Sequence, residues 1–323
     1  MTAAERTGPR GLFVGLTTLD VVHRLDRPPG SDEKVTATVQ DVGAGGPAAN
    51  AALTFAILGG SATLVTALGR HPLAAAAVTE LAGYGVDLVD LTPDAAESPA
   101  VSAVRVEART GRRSVSSPDA ASRVPAPAPT DDAIAAWLAV NDVVLLDGHH
   151  AETAPPVARA ARAAGVPVLL DGGRWRPVFG ELLAAADFAI VSADFAVPAG
   201  FRGPNTPDDS PDAQDVLTSV LALGADAAAR SAGPEPIRWA VPGSTGRVEV
   251  AVVEAMDTLG AGDVLHGAAA LAIAAVGAGP GLALWPEVLR FAADVASVRV
   301  GYAGPRSWIA DPRLPELVKP WTG

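Results

Sequence analysis

The segment Asp257–Asp263 reads DTLGAGD. Two carboxylates bracket Gly260, Ala261 and Gly262, and a run without charged side chains follows from Val264 to Trp285. A turn with several free backbone N–H groups at the start of a helix is an anion site. The glycines keep side chains out of the way, and Asp263 falls in the first helical turn, beside whatever anion is held. A carboxylate next to an anion is unfavourable unless it has a task. The natural task is to take a proton from a hydroxyl that attacks a phosphoryl group. Acids are also favoured at any helix start, so the segment alone is equally compatible with an ordinary N-terminus.

A second glycine motif, GAGGPAAN, runs from Gly43 to Asn50. It fits G-x-G-x-x-[G/A] formally. The dinucleotide reading fails, because the motif does not follow the first parallel strand and no acid stands about twenty residues on. A phosphate-binding P-loop is excluded as well, since neither glycine stretch ends in G-K-[ST]. Two readings remain: a turn followed by a tightly packed helix, or glycines that admit a ligand's polar rim with Asn50 pointing into the same cavity.

The elements that must position these motifs follow from the composition and pattern. The chain has 323 residues, 49% of them hydrophobic, enough for one large α/β domain over 1–323 or for two smaller ones. A formal charge of −12 argues against nucleic acid or an anionic membrane as partner. The absence of cysteine excludes disulfides and thiolate zinc sites and suits a reducing cytoplasm. The first twenty residues read as no secretory leader. The uncharged run after Asp263 reads as a buried helix rather than a membrane span, because it holds His266 and is broken by GAGPG.

Solid apolar runs alternate with alanine-rich helical stretches. LFVGLTTLDVV reads as one first strand ending near Asp20; ATLVTALG, DVVLLDG, VPVLLDGG and DFAIVSAD read as further strands. Such runs separated by helices imply a parallel sheet covered on both faces, whose ligands bind beyond the carboxyl ends of the strands. The polar residues there are Asp20, Asp147, His149, Asp171, Arg174, Ser192 and Asp194. Arg174 and Arg176 are placed to clamp an anionic substituent or to line a solvated loop. His149 and His150 are placed to line a pocket, and His266 to form core or pocket wall. Two segments, 34–42 and 100–117, alternate polar and apolar residues instead, with a hairpin turn at Gly111. They imply a small half-exposed sheet projecting from the body, with Arg112 and Arg113 on its hairpin facing solvent. SRVPAPAPTDD reads as a surface loop.

Together the two glycine motifs make the chain resemble the ribokinase-like (PfkB) family of carbohydrate kinases over nearly its whole length. DTLGAGD satisfies that family's D-T-x-G-A-G-D signature. Gly45, Gly46, Asn50, Ala52 and the Leu58–Gly59 pair fit its G-G-x-x-x-N-x-A…L-G signature. The resemblance implies a three-layer α/β/α domain with a mostly parallel sheet and a small β-sheet lid made by 34–42 and 100–117. It implies transfer of the γ-phosphoryl group of ATP to a sugar hydroxyl, with Asp263 as base and the amides of Gly260, Ala261 and Gly262 as anion hole. Asp20, Gly45, Gly46 and Asn50 would bind the sugar, joined by the strand-end candidates His149 and Arg174. Ser192, Ser231, Gly233, Thr258, Gly260 and Gly262 would line the nucleotide, with Ala293 and Ser297 near the adenine. Mg2+, a monovalent cation such as K+, and a homodimer through the lid complete the expectation.

The chain also departs from the family pattern. The N-x-x-E motif that organises magnesium is replaced by SADF, Ser192–Phe195, so the metal's protein contacts are unassigned, with Asp194 the one acid there. Ketohexokinases are similar in carrying V-S-x-D at this place. Pro236 replaces the second glycine of T-x-G-x-x-G, and Pro47 replaces the usual Asn after the glycine pair. Sulfofructose kinases share that G-G-P, but their sulfonate-binding arginine aligns with His149. A nucleoside kinase on the same scaffold and a catalytically silent sugar-binding regulator remain alternatives.

Overall fold

The computed structural model describes residues 8–119, 125–201 and 213–322. The leader reading of residues 1–7 and the first part of the proline-rich connection, 122–124, lie outside the described residues.

The strands are β1 (Arg10–Val14), β2 (Thr18–Leu25), β3 (Val39–Gly45), β4 (Ser61–Thr66), β5 (Val86–Asp90), β6 (Val101–Glu107), β7 (Arg113–Ser116), β8 (Val143–Leu146), β9 (Val168–Gly172), β10 (Phe188–Ser192), β11 (Ala227–Ala232), β12 (Glu235–Val241) and β13 (Ser244–Val248). The helices are α1 (Pro47–Ile57), α2 (Pro72–Gly83), α3 (Asp131–Leu138), α4 (Ala154–Ala164), α5 (Phe179–Leu183), α6 (Ala213–Ala222), α7 (Ala261–Val276), α8 (Ala278–Ala283), α9 (Trp285–Val300) and α10 (Leu314–Thr322).

Among the described residues, the large sheet runs β13-β12-β11-β10-β9-β8-β1-β4-β5. Every neighbouring pair from β11 to β5 is parallel, and only β12 and β13 pair antiparallel. The central strands are apolar on both faces because both faces are covered. On one side Phe13, Leu145 and Ile190 meet α1, α7 and α9. On the other, Val14, Leu146 and Ala189 meet α3, α4, α5 and α6. These are the three layers expected of a doubly covered parallel sheet.

The predicted single first strand is two. β1 ends at Val14, and after the turn at Gly15–Thr17 the chain leaves the large sheet as β2. The break is anchored by Gly15 N donating to Val65 O (3.1 Å) and Leu16 N donating to Asp147 Oδ2 (2.8 Å). Both partners are remote in sequence, so the continuous apolar run concealed it. Asp20 therefore does not end a parallel strand; it is the third residue of β2.

The small sheet has the order β3-β2-β6-β7, with β2 and β6 parallel and the outer pairs antiparallel. The segment 100–117 supplies β6 and β7, with Gly111 at φ +64 in their turn. The segment 34–42 contributes strand only from Val39 onward, and β2 is an inner strand that the alternation missed. The uncharged run after Asp263 divides into α7 and α8 at Gly277, φ +81, and no helix among the described residues is long and apolar enough to cross a membrane.

Candidate active site

Three glycines set the site's geometry. Gly46 has φ +95, and a Cβ there would lie 2.4 Å from Leu16 O, so only glycine lets the β3–α1 junction approach the β1–β2 turn. Pro47 then opens α1, its fixed φ suited to a first helical turn. Gly260, φ +71, precedes α7. Helix α7 can lie close to α1 because Gly267 faces Ala51: a Cβ would meet Ala51 O at 2.4 Å. Alanines 48, 49, 51 and 52 line the same buried part of α1.

That close approach joins the two motifs. Asn50 Nδ2 donates to Asp263 Oδ2 at 2.7 Å. Asn50 Oδ1 in turn accepts from Arg306 Nη1 at 3.3 Å. Arg306 also donates to Glu80 Oε1 (2.8 Å) and to Ala44 O (2.7 Å), while Glu80 Oε2 accepts from Ala44 N (2.5 Å). The glycine-rich end of β3 is thus held on both sides by a charged pair. Arg306 and Glu80 were not singled out from sequence; both stand outside any motif.

Loss of water around the half-buried Asp263, together with the negative charge of Asp171, pushes its carboxyl up to about 6, against the hydrogen bond from Asn50. Asp171, buried on β9, is itself raised by burial. His266, one turn after Asp263, is buried; its Nδ1 lies 2.7 Å from Gly262 O and 3.3 Å from Asp171 Oδ2, and its Nε2 lies 3.0 Å from Ile190 O. It ties the first turn of α7 to β10 and β9.

The anion cradle is formed differently from the expectation in one respect. Ala261 N lies 3.4 Å from Thr258 O, so this amide is partly engaged. The Gly260 and Gly262 amides meet no acceptor among the described residues. Thr258 is drawn to the small sheet: its Oγ1 donates to Gly111 O (3.2 Å), and Arg113 Nη1 donates to Thr258 O and Oγ1, both at 3.0 Å. Arg113 is exposed to solvent, as expected, yet is also fixed at the cradle's edge, and its charge favours the ionised form of Asp263.

Asp20 shares with Asn50 a cleft also lined by Gly43, Gly260, Val264 and Arg306. Its carboxylate accepts from Thr18 Oγ1 at 2.7 Å and covers Gly45, where a Cβ would sit 2.1 Å from Asp20 Oδ2. Burial raises its pKa. Asp20, Gly45, Gly46, Asn50 and Asp263 therefore converge.

His149 and Arg174 gather elsewhere on the rim, around Asp119. Asp147 follows β8 and is buried. Its Oδ2 accepts from Leu16 N (2.8 Å) and Ala48 N (3.2 Å) and its Oδ1 from His149 N (3.0 Å). Burial opposes its charge, but His149 beside it holds it down to about 2. Among the nucleotide candidates, Ser192 and Ser231 are register partners on adjacent parallel strands. Ser192 Oγ is spent on Gly173 O (2.5 Å) and Asp194 N (3.1 Å). Gly233, φ +61, makes the β11–β12 turn, while Ala293 and Ser297 are buried on α9, packed against α7. Among the described residues, no group of three or more His, Asp or Glu side chains is arranged to hold a metal ion, so the side chains present do not form a cage for Mg2+.

Comparison with known proteins agrees with this architecture. A ribokinase from Giardia lamblia superimposes with a TM-score of 0.77 at 16% identity, covering 97% of this chain and 99% of that one. The ribokinase of Arabidopsis thaliana complexed with ribose and ATP gives 0.72 at 23% identity, covering 97% and 99%. At these identities the likeness is one of fold. A candidate ribokinase from Agrobacterium tumefaciens gives 0.79 at 27% identity, covering 97% and 98%. An ATP-dependent ribose-1-phosphate kinase of Halopiger xanaduensis is 33% identical over 185 residues; the match spans 57% of this chain and 61% of that relative's length. The family model for pfkB family carbohydrate kinases matches residues 11–311, and the chain belongs to that family.

Proposed function

We propose that this protein is an ATP-dependent sugar kinase with a single catalytic domain and the small sheet as its lid. The observation that carries the reading is the hydrogen bond between Asn50 and Asp263 at the glycine turn opening α7. It joins a base of suitable pKa to a helix N-terminus with free amides. Asp263 takes the proton from a sugar hydroxyl as that oxygen attacks the γ-phosphoryl group of ATP. The Gly260 and Gly262 amides receive the charge that develops on the transferred group. Asp20 and Asn50 orient the sugar, the carboxylate accepting from hydroxyls and the amide both donating and accepting. Ser192, Ser231, Gly233, Ala293 and Ser297 flank the nucleotide. Docking of Gly111 and Arg113 on Thr258 closes the small sheet over the cradle and excludes water, which would otherwise compete as acceptor.

Mg2+ would enter with ATP and supply charge neutralisation to its phosphates. Dependence on a monovalent cation such as K+ belongs to the proposal. Comparing turnover in K+ and Na+ buffers tests that dependence. Val39, Val42 and Val115 expose their side chains on the two edge strands of the small sheet and support a homodimer through it, checked by light scattering on the purified chain. The proposed compartment is the cytoplasm. The decisive experiment is ATP turnover against a panel of sugars, nucleosides and phosphorylated sugars. Ribose 1-phosphate, the acceptor in the name of the Halopiger relative, belongs in that panel. ATP-dependent phosphorylation that disappears in Asp263→Asn supports the reading. Sugar binding with no turnover would replace it with a regulator.

A further inference from the structure

His149, Arg174 and Arg176 meet around one carboxylate. His149 Nε2 lies 2.9 Å from Asp119 Oδ1, and Arg176 Nη2 lies 2.6 Å from Asp119 Oδ2, with Arg174 Nη2 at 3.5 Å from the same oxygen. His149 Nε2 and Arg176 Nη2 stand only 2.7 Å apart. With Nε2 bare, it accepts from Arg176; with the ring protonated, the two donors repel each other unless an anion bridges them. The second carboxylate of the group, Asp147, pairs with the other ring nitrogen, His149 Nδ1, at 3.1 Å and also accepts from the backbone N–H groups of Leu16, Ala48 and His149. Burial disfavours a charged ring at His149, but Asp147 and Asp119 outweigh it and push the imidazole up to about 9. At neutral pH the group is therefore a cationic receptor, and Asp119 fills it.

The two arginines and Asp119 come from different parts of the chain. Trp175, between the two arginines, packs on Phe195 and Phe201 with ring centroids at 5.5 and 5.1 Å, fixing the loop after β9. Asp119 lies beyond β7, outside the sheet's ladder, with φ +52. The receptor is linked to the reaction site through Asp147 and Asp171. Ala48, whose amide Asp147 accepts, is two residues before Asn50, and the charge of Asp171 acts on Asp263 while the charge of His149 acts on Asp171.

We infer that His149, Arg174 and Arg176 bind an anionic substituent of the acceptor, a phosphate carried by the sugar, and that the Asp119 carboxylate occupies this place until the substrate displaces it. The inference rests on the kinase reading and narrows its substrate class to phosphorylated sugars. A phosphate offers three oxygens to three converging donors, a better match than one carboxylate.

Three proteins test this: wild type, Arg176→Ala and Asp119→Asn, each checked for its melting temperature. Steady-state kinetics compares ribose and fructose with ribose 1-phosphate, ribose 5-phosphate and fructose 6-phosphate. Calorimetry with inorganic phosphate measures the receptor without turnover. The expected result is a kcat/KM for at least one phosphorylated sugar tenfold or more above its neutral parent. Arg176→Ala should raise that KM about tenfold or more, and Asp119→Asn should lower it, because the competing carboxylate is gone. Phosphate affinity should follow the same opposite signs. Neutral sugars used as well as phosphorylated ones by wild type would overturn the inference and leave the kinase reading intact. Both variants weakening phosphate binding together, with lower melting temperatures, would make the cluster a structural latch and overturn it too. Absence of turnover with every sugar counts against the kinase reading, and the calorimetry then decides alone: no phosphate binding by wild type removes the receptor.

Discussion

Asn50 and Asp263 lie 213 positions apart in the chain and are joined by a 2.7 Å hydrogen bond. The bond exists because Gly267 allows α7 to rest on the backbone of α1. It also couples the roles of the two residues. The amide that faces the sugar site is the group that partly offsets the burial of the base.

Asp263→Asn should fold normally and lose phosphoryl transfer by about a hundredfold or more, since general-base removal costs that much, while ATP still binds. The same variant should be more stable than wild type at pH 8. A carboxyl raised above its unfolded value of about 3.9 favours the folded state at low pH, and that advantage is lost as pH rises through about 6. Asparagine escapes the cost of holding a buried charge. Kinetics and thermal melts at pH 5 and 8 check both halves; more than a tenth of wild-type kcat would remove Asp263 from the base role.

The pH profile of kcat/KM should fall on the acid side with an apparent pKa near 6. Asn50→Ala removes a hydrogen bond to the ionised carboxylate, so its acid limb should move to higher pH, and its kcat should fall together with a rise in sugar KM. An unshifted limb would show that Asn50 contacts the sugar only.

Asp20→Ala should raise the sugar KM roughly tenfold or more, the cost of a buried hydrogen bond to a charged group, with the ATP KM little changed. A large rise in the ATP KM alone would reverse the assignment of the two halves of the cleft.

Arg113→Ala tests the docking of the small sheet on the cradle. The side chain is exposed, so the melting temperature should hold, while kcat should drop about tenfold because a cation near the transferred group is gone. Amide exchange in β3, β6 and β7 should slow when sugar is bound; equal exchange with saturating sugar would separate this sheet from the mechanism.

The parallel sheet and the helices that follow the two glycine motifs were legible in the sequence by itself, because these depend on local signals. Solid apolar runs announce buried strands, glycine pairs announce turns, and DTLGAGD is contiguous. The exit of β2 from the large sheet was invisible, since it depends on Leu16 N reaching Asp147 Oδ2 across 131 positions while apolar residues continue through the break. Arg306 and Glu80 around Ala44, Arg113 on Thr258, and Asp119 within the His149–Arg176 pair were likewise decided only by tertiary structure. Each is a charged side chain whose partner is distant in sequence. A charge carries no periodicity, so nothing in the one-dimensional pattern separates an arginine in solvent from one that closes a site.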